Sequence, residues 1–242
     1  MRHHLGYRAW RNAIACMLWL ASCGCNEGSA TTDTPTAIRA AHQRAAGMYR
    51  TLTLIRDNAA NAPSAKPCAR DATWRPIGIT WNQLLYRTNA PTSLVRAPAE
   101  IEAKQFTHFT FERMLTIDEQ PRYPNGEMAK DIDAASAAVH AATHIAVLRP
   151  TVTQLPSRVG TSFSPGRVEG EVMFFNAATG QYVCASAFTA TNQNSVGYQA
   201  ATAGGYQAAS GNERRADYAL TEDLKRQIEA AGRAILTGTK AP

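Results

Sequence analysis

The sequence predicts a single α+β domain, a mixed or antiparallel sheet packed by about three helices. Three observations carry this. Apolar residues recur at spacings of three and four over 35–58, 128–139 and 221–237, each the pattern of one helix face. Residues 144–149 are apolar on both sides, as in a strand inside a sheet. Residues 168–175 and 181–188 form two strands around Asn176-Ala177-Ala178-Thr179-Gly180, a hairpin whose Gly180 can take the positive φ of a short loop. No linker divides residues 35–242, so one domain is expected, large enough to bury roughly 70% of its unfolded surface.

Taken in order, Thr34-Pro35 is a helix start, the Thr oxygen capping and the Pro placed where its missing N–H costs nothing. Ile38, Ala41, Ala45, Met48, Leu52 and Ile55 then mark the inner face of a helix ending near Asn58, although Gly47 and the run 51–55 leave a strand open for its second half. Residues 59–76, with three Pro and Cys68, read as a loop. Ile77 to Arg87 suits either a strand or a short helix. Phe106, Phe109, Phe111 and Ile117 among Thr residues predict a strand over 105–117. Pro121 to Gly126 is a turn, and Met128, Ile132, Ala135 and Val139 give a second helix. In the hairpin, Val168, Gly170, Val172 and Phe174 share one face, with Glu169 and Glu171 on the other. The two copies of Gly-Tyr-Gln-Ala-Ala in 197–211 are too few for a solenoid and read as a surface excursion; a Tyr-bearing contact loop is the alternative. Thr221-Glu222-Asp223 opens the last helix with a capping oxygen and acids at its positive end, Leu224, Ile228, Ala231 and Ile235 face inward, and Gly238 ends it.

Composition excludes several classes. With 45% apolar and 8% aromatic residues the chain is neither collagen-like nor wholly disordered. Its strongest apolar run, Ala13 to Leu20, falls far short of the roughly 20 residues a membrane-spanning helix needs. Arg2, Arg8 and Arg11 supply half of the formal charge of +6. What remains is small and scattered, so no nucleic-acid partner is expected.

Those three Arg and the short apolar run that follows form a secretory signal. The next residues, Leu20-Ala21-Ser22-Cys23, resemble the lipobox of bacterial lipoproteins, a likeness confined to residues 1–23. It implies cleavage after residue 22, a diacylglyceryl group on the Cys23 thiol and acylation of the new amino terminus. Two or more acyl chains, at roughly 0.8 kcal/mol per buried CH₂, hold a protein durably to a bilayer where one would not. The alternative is a plain secretory signal cut after Ala30. Gly24 after the lipidated Cys lacks the Asp that resembles an inner-membrane retention signal, which points to the outer membrane. Residues 23–34 then form a flexible tether of at most about 40 Å.

Export also governs the remaining cysteines. Outside the inner membrane two distant thiols persist as a disulfide, and Cys68 with Cys184 is the expected pair because Cys25 lies in the tether; two separate reduced thiols are the alternative.

Candidates for chemistry are few. His140 and His144 have a metal-ligand spacing on a continuous helix, but no His-Glu-x-x-His motif surrounds them. Residues 160–166 fit neither Gly-x-Ser-x-Gly nor a phosphate loop and read as a turn. Glu169 and Glu171 could act as an acid/base pair, though a solvated strand face suits them equally. The expectation is therefore a membrane-anchored envelope lipoprotein, a binding or structural accessory facing the periplasm with an envelope protein as possible partner. No catalytic residue, cofactor or metal is assigned. The rivals are an envelope hydrolase gathering His108, His140, His144 or Glu171 in one pocket, and a soluble periplasmic protein.

Overall fold

Four strands make a mixed sheet in the order β1-β2-β5-β6: β1 (Pro76–Thr80), β2 (His144–Gln154), β5 (Arg167–Asn176) and β6 (Tyr182–Thr191). β1 runs parallel to β2, and the other neighbours are antiparallel. A separate two-stranded ribbon pairs β3 (Ser157–Val159) with β4 (Ser162–Ser164). The helices are α1 (Thr34–Ala60), α2 (Trp81–Arg87) and α3 (Tyr206–Thr237), with a further helical stretch at 137–141. The computed structural model describes residues 34–62, 67–69, 72–108, 111, 134, 137–159, 162–197 and 206–239, all within one compact unit, Asp33–Pro242. The signal, lipobox and tether through residue 33, the turn at 121–126, most of the second predicted helix and the first Gly-Tyr-Gln copy beyond Gly197 lie outside them.

Strand periodicity sends alternate side chains to opposite faces, and each face has its own core. On one, Ile145, Val147, Met173, Phe175 and Ala185 meet Met48, Leu52, Ile55 and Ala59 of α1 and Leu84 and Leu85 of α2. On the other, Ala146, Leu148, Val172, Phe174, Cys184 and Phe188 meet Leu224, Ile228 and Ala231 of α3. Fully burying a side chain such as Leu52, Phe174 or Phe175 contributes about 1.5–3 kcal/mol. Helices therefore cover both sides of the sheet. No described helix is long and apolar enough to cross a membrane.

The structure resolves the ambiguous segments. α1 stays helical to Ala60, because Leu52 and Ile55 fall on the buried stripe that Ala45 and Met48 begin. In 77–87 both alternatives hold in turn: β1 ends at Thr80, whose side chain caps α2 by accepting from Gln83 N. β2 extends to Gln154, past the expected Arg149. β1 pairs only as far as Leu148, so β2 beyond it has one neighbour, and Pro150, without an N–H, sits there beside a bulge. The hairpin is as expected, with Gly180 at φ +67°.

Three expectations are corrected. The strand over 105–117 is absent from its described part: Lys104–Phe106 is a 3-10 turn and residue 111 is helical. Its aromatics act as plugs, Phe106 in the core beneath α3 and Phe111 in the core beneath α1, so they serve two faces rather than one strand. The turn predicted over 160–166 contains β4, half of the small ribbon. Finally α3 begins at Tyr206, not Thr221, so residues 206–210 of the second copy are helical rather than a flexible excursion. Thr221 does not cap; its hydroxyl donates to the Asp217 carbonyl one turn earlier. The inward stripe begins upstream of Leu224, with Ala216 and Leu220 both buried.

Close approach explains one glycine. A Cβ on Gly170 would stand 2.5 Å from the Arg149 carbonyl oxygen and 2.7 Å from the Phe188 ring, so β5 can lie against both only without one.

Candidate functional site

A cleft of about 420 Å³ opens between α1, the stretch 139–142 and the hairpin loop. Helical spacing puts Arg44, Gly47, Met48 and Thr51 of α1 on its wall; Val139, His140 and Ala142 face them, and Ile145 closes the floor. Ala177 and Ala178 of the hairpin loop complete the rim. Met48 and Ile145 belong to the core beneath α1, so the floor is continuous with the protein interior. Arg44 is half-buried and His140 exposed. Among the described lining residues there is no carboxylate, Ser or Cys, so those residues alone make neither a nucleophile–base pair nor an acid/base pair.

The other sequence candidates are dispersed. His144 is the first residue of β2, not a continuation of the helix bearing His140. Its ring stacks on Trp74 at 3.8 Å between centroids, and its Nδ1 lies 2.8 Å from Thr143 Oγ1. Among the described residues no group of His, Cys, Asp and Glu forms a metal cluster. His108 donates its backbone N–H to the Gly78 carbonyl, and burial holds its imidazole below the ordinary pKa.

Glu169 and Glu171 are ion-paired. Glu169 meets Arg167 at 2.5 Å on the surface. Glu171 accepts from Arg149 Nε at 3.1 Å and Nη2 at 2.5 Å, with side chains only 15% and 21% exposed. Arg149 Nη1 donates to the Ala59 carbonyl at the C-terminus of α1, and the guanidinium lies 5.8 Å from the Trp81 ring centroid. A half-buried cation is thus held by a carboxylate, a helix end and an aromatic face. Glu171 has a structural partner in place of a second catalytic acid.

Sequence reading missed two polar devices. Arg149 ended an apolar run and drew no attention. Asn192 and Asp223 form a buried network: Asn192 Oδ1 accepts from Gly166 N, and its Nδ2 donates to Leu220 O and Asp223 Oδ2. Gln193 N also donates to Asp223 Oδ2. Burial alone would raise the Asp223 pKa, but the bonds from Asn192, Gln193 and Arg226 outweigh it and hold the carboxyl below its ordinary value. The network ties the ends of β5 and β6 to α3; only the Asp-for-cap pattern near 221 hinted at it, and it pointed to the wrong role.

Cys68 and Cys184 form a disulfide, their Cα atoms 5.2 Å apart, as expected. It fastens the 67–69 segment onto β6. Nearby, Trp74 meets the Phe174 ring edge-on at 5.3 Å, so this crossing segment also covers part of the sheet.

Fold and site thus define a disulfide-tied α+β protein with an apolar, cation-bearing cleft beside α1. No protein-family model matches the chain, and no curated protein or solved structure matches it.

Proposed function

We propose that this chain is a bacterial lipoprotein: cut before Cys23, acylated there, and displaying its α+β body at the membrane, on the periplasmic side of the outer one, as a binding or structural accessory. The observation that carries the reading is Leu20-Ala21-Ser22-Cys23 directly after a basic segment and a short apolar run. The disulfide between Cys68 and Cys184 supports export, since such bonds persist in oxidising compartments. A hydrolase would need its candidates in one place, whereas His140 lines the cleft, His144 stacks on Trp74 and Glu171 is committed to Arg149.

Intact-mass analysis of the protein from envelope fractions tests this directly: the expected mature chain begins at Cys23 and carries acyl groups. Membrane fractionation of Cys23→Ser separates it from a soluble periplasmic protein. The variant is expected to leave the membrane fraction; if it stays there as fully as the parent, or if the mature parent starts elsewhere, the anchoring reading fails.

A further inference from the structure

We propose that the cleft between α1 and residues 139–142 binds an uncharged aliphatic molecule of medium chain length with a hydroxyl head, a fatty alcohol in its simplest form. Its volume of about 420 Å³ lies within the range of about 300–1,000 Å³ usual for ligand sites. The floor is apolar, built from Met48, Val139 and Ile145. A chain laid on it removes apolar surface of both partners from water, so each added CH₂ tightens binding until the floor is covered. Charge does not choose the ligand. The Arg44 guanidinium already has a partner within the protein, and the described lining residues include no carboxylate. A charged head would therefore give up hydration with no counter-charge held ready for it. The Thr51 hydroxyl and the His140 imidazole bring polar groups to the walls, and an alcohol, which both donates and accepts, can pair with either.

Gly47 is an independent observation. It sits inside α1, and glycine is the residue a helix interior tolerates least after proline. Nothing lies within 4 Å of the place its Cβ would take, so packing does not call for glycine. What the missing side chain provides is room: Gly47 lines the cleft, and a larger residue would occupy space at its wall. The assignment concerns the folded body and does not depend on acylation of Cys23.

The test is calorimetric titration of the full-length Cys23→Ser protein, exported and purified without detergent, with hexanol, octanol and decanol below their solubility limits, and with decanoate and decyltrimethylammonium below their aggregation thresholds. The alcohols are expected to bind at one site, with affinity rising about fourfold for each CH₂ between hexanol and octanol. Both charged chains should bind more weakly than decanol. Gly47→Leu should reduce decanol affinity about tenfold or more by filling the wall, with circular dichroism unchanged. In the unsubstituted cleft, decanol should shift the backbone amide resonances of residues 47–51 and 139–142. The proposal is overturned if no alcohol binds up to its solubility limit, if octanol binds no better than hexanol, or if either charged chain binds more tightly than decanol. Undiminished decanol affinity in a folded Gly47→Leu variant, or amide shifts confined to other parts of the protein, would also overturn it. The shifts need no substitution in the cleft, so they decide the matter should the leucine variant misfold.

Discussion

Breaking the Cys68–Cys184 bond is the perturbation whose magnitude follows most directly from the structure. The two residues are 116 positions apart, and in the chain-entropy description a cross-link of that span withholds about 4.8 kcal/mol from the unfolded state. Trimming a buried sulfur adds about 1 kcal/mol on its own account, because Cys184 is only 3% exposed and packs in the core beneath α3. The two terms are separable. Cys68→Ala breaks the bridge while the Cys184 sulfur stays in place, so it should cost nearly as much as the double alanine variant. Urea unfolding of oxidised parent and variants at one pH measures both. The expected loss is about 4–5 kcal/mol, equivalent to a midpoint lower by about 10–20 °C on heating, with a steeper urea dependence as the unlinked chain expands. Were Cys68→Ala to cost no more than about 1 kcal/mol, the bond would contribute no more than packing, and the cross-link argument would be wrong. Non-reducing peptide mapping that found both thiols free in protein purified without reductant would refute the bridge itself.

Other substitutions probe the remaining features. Asp223 has a depressed pKa in the folded state, so its stabilisation is present above the unfolded value of about 4 and is lost as pH falls toward the folded one. Asp223→Asn should therefore be less stable than the parent by about 1–3 kcal/mol at pH 7, the gap narrowing as pH falls below about 4; a gap independent of pH would argue against the carboxylate's role. Glu171→Gln removes the charge opposite half-buried Arg149 and should cost about 2 kcal/mol by urea unfolding, less than a fully buried pair because both groups keep some solvent. Two glycine-to-alanine changes should have opposite signs in thermal denaturation. Gly47→Ala gains about 0.5–1 kcal/mol in open space, whereas Gly170→Ala loses about 1–3 kcal/mol against the Arg149 carbonyl.

Where residue pattern and packing ask for the same thing, the fold could be read directly. The hairpin is one such place: Val168, Val172 and Phe174 alternate toward one core, and Gly180 satisfies the loop backbone. The run 145–148 is another, buried on both faces because helices cover both sides of the sheet. Residues 105–117 misled because β-forming aromatics are also the bulkiest plugs available, and Phe106 and Phe111 enter separate cores. The start of α3 was hidden because Thr221-Glu222-Asp223 has the chemistry of a cap, while tertiary packing had already committed Ala216 and Leu220 to the helix and Asp223 to Asn192. The cleft was invisible for a plain reason. His140 could be singled out by type, but its partners Arg44 and Gly47 lie about ninety residues away, and only folding brings α1 beside it.

The residues just after the 3-10 turn at Lys104–Phe106 have one more consequence. His108 gives its amide to the Gly78 carbonyl, and Thr107 takes the amide of Thr80 on its hydroxyl. Pro76, at the other end of that strand, has no amide to give. A stray strand from a neighbouring molecule approaching this margin finds these backbone groups already engaged, so the flank is a poor template for edge-to-edge growth.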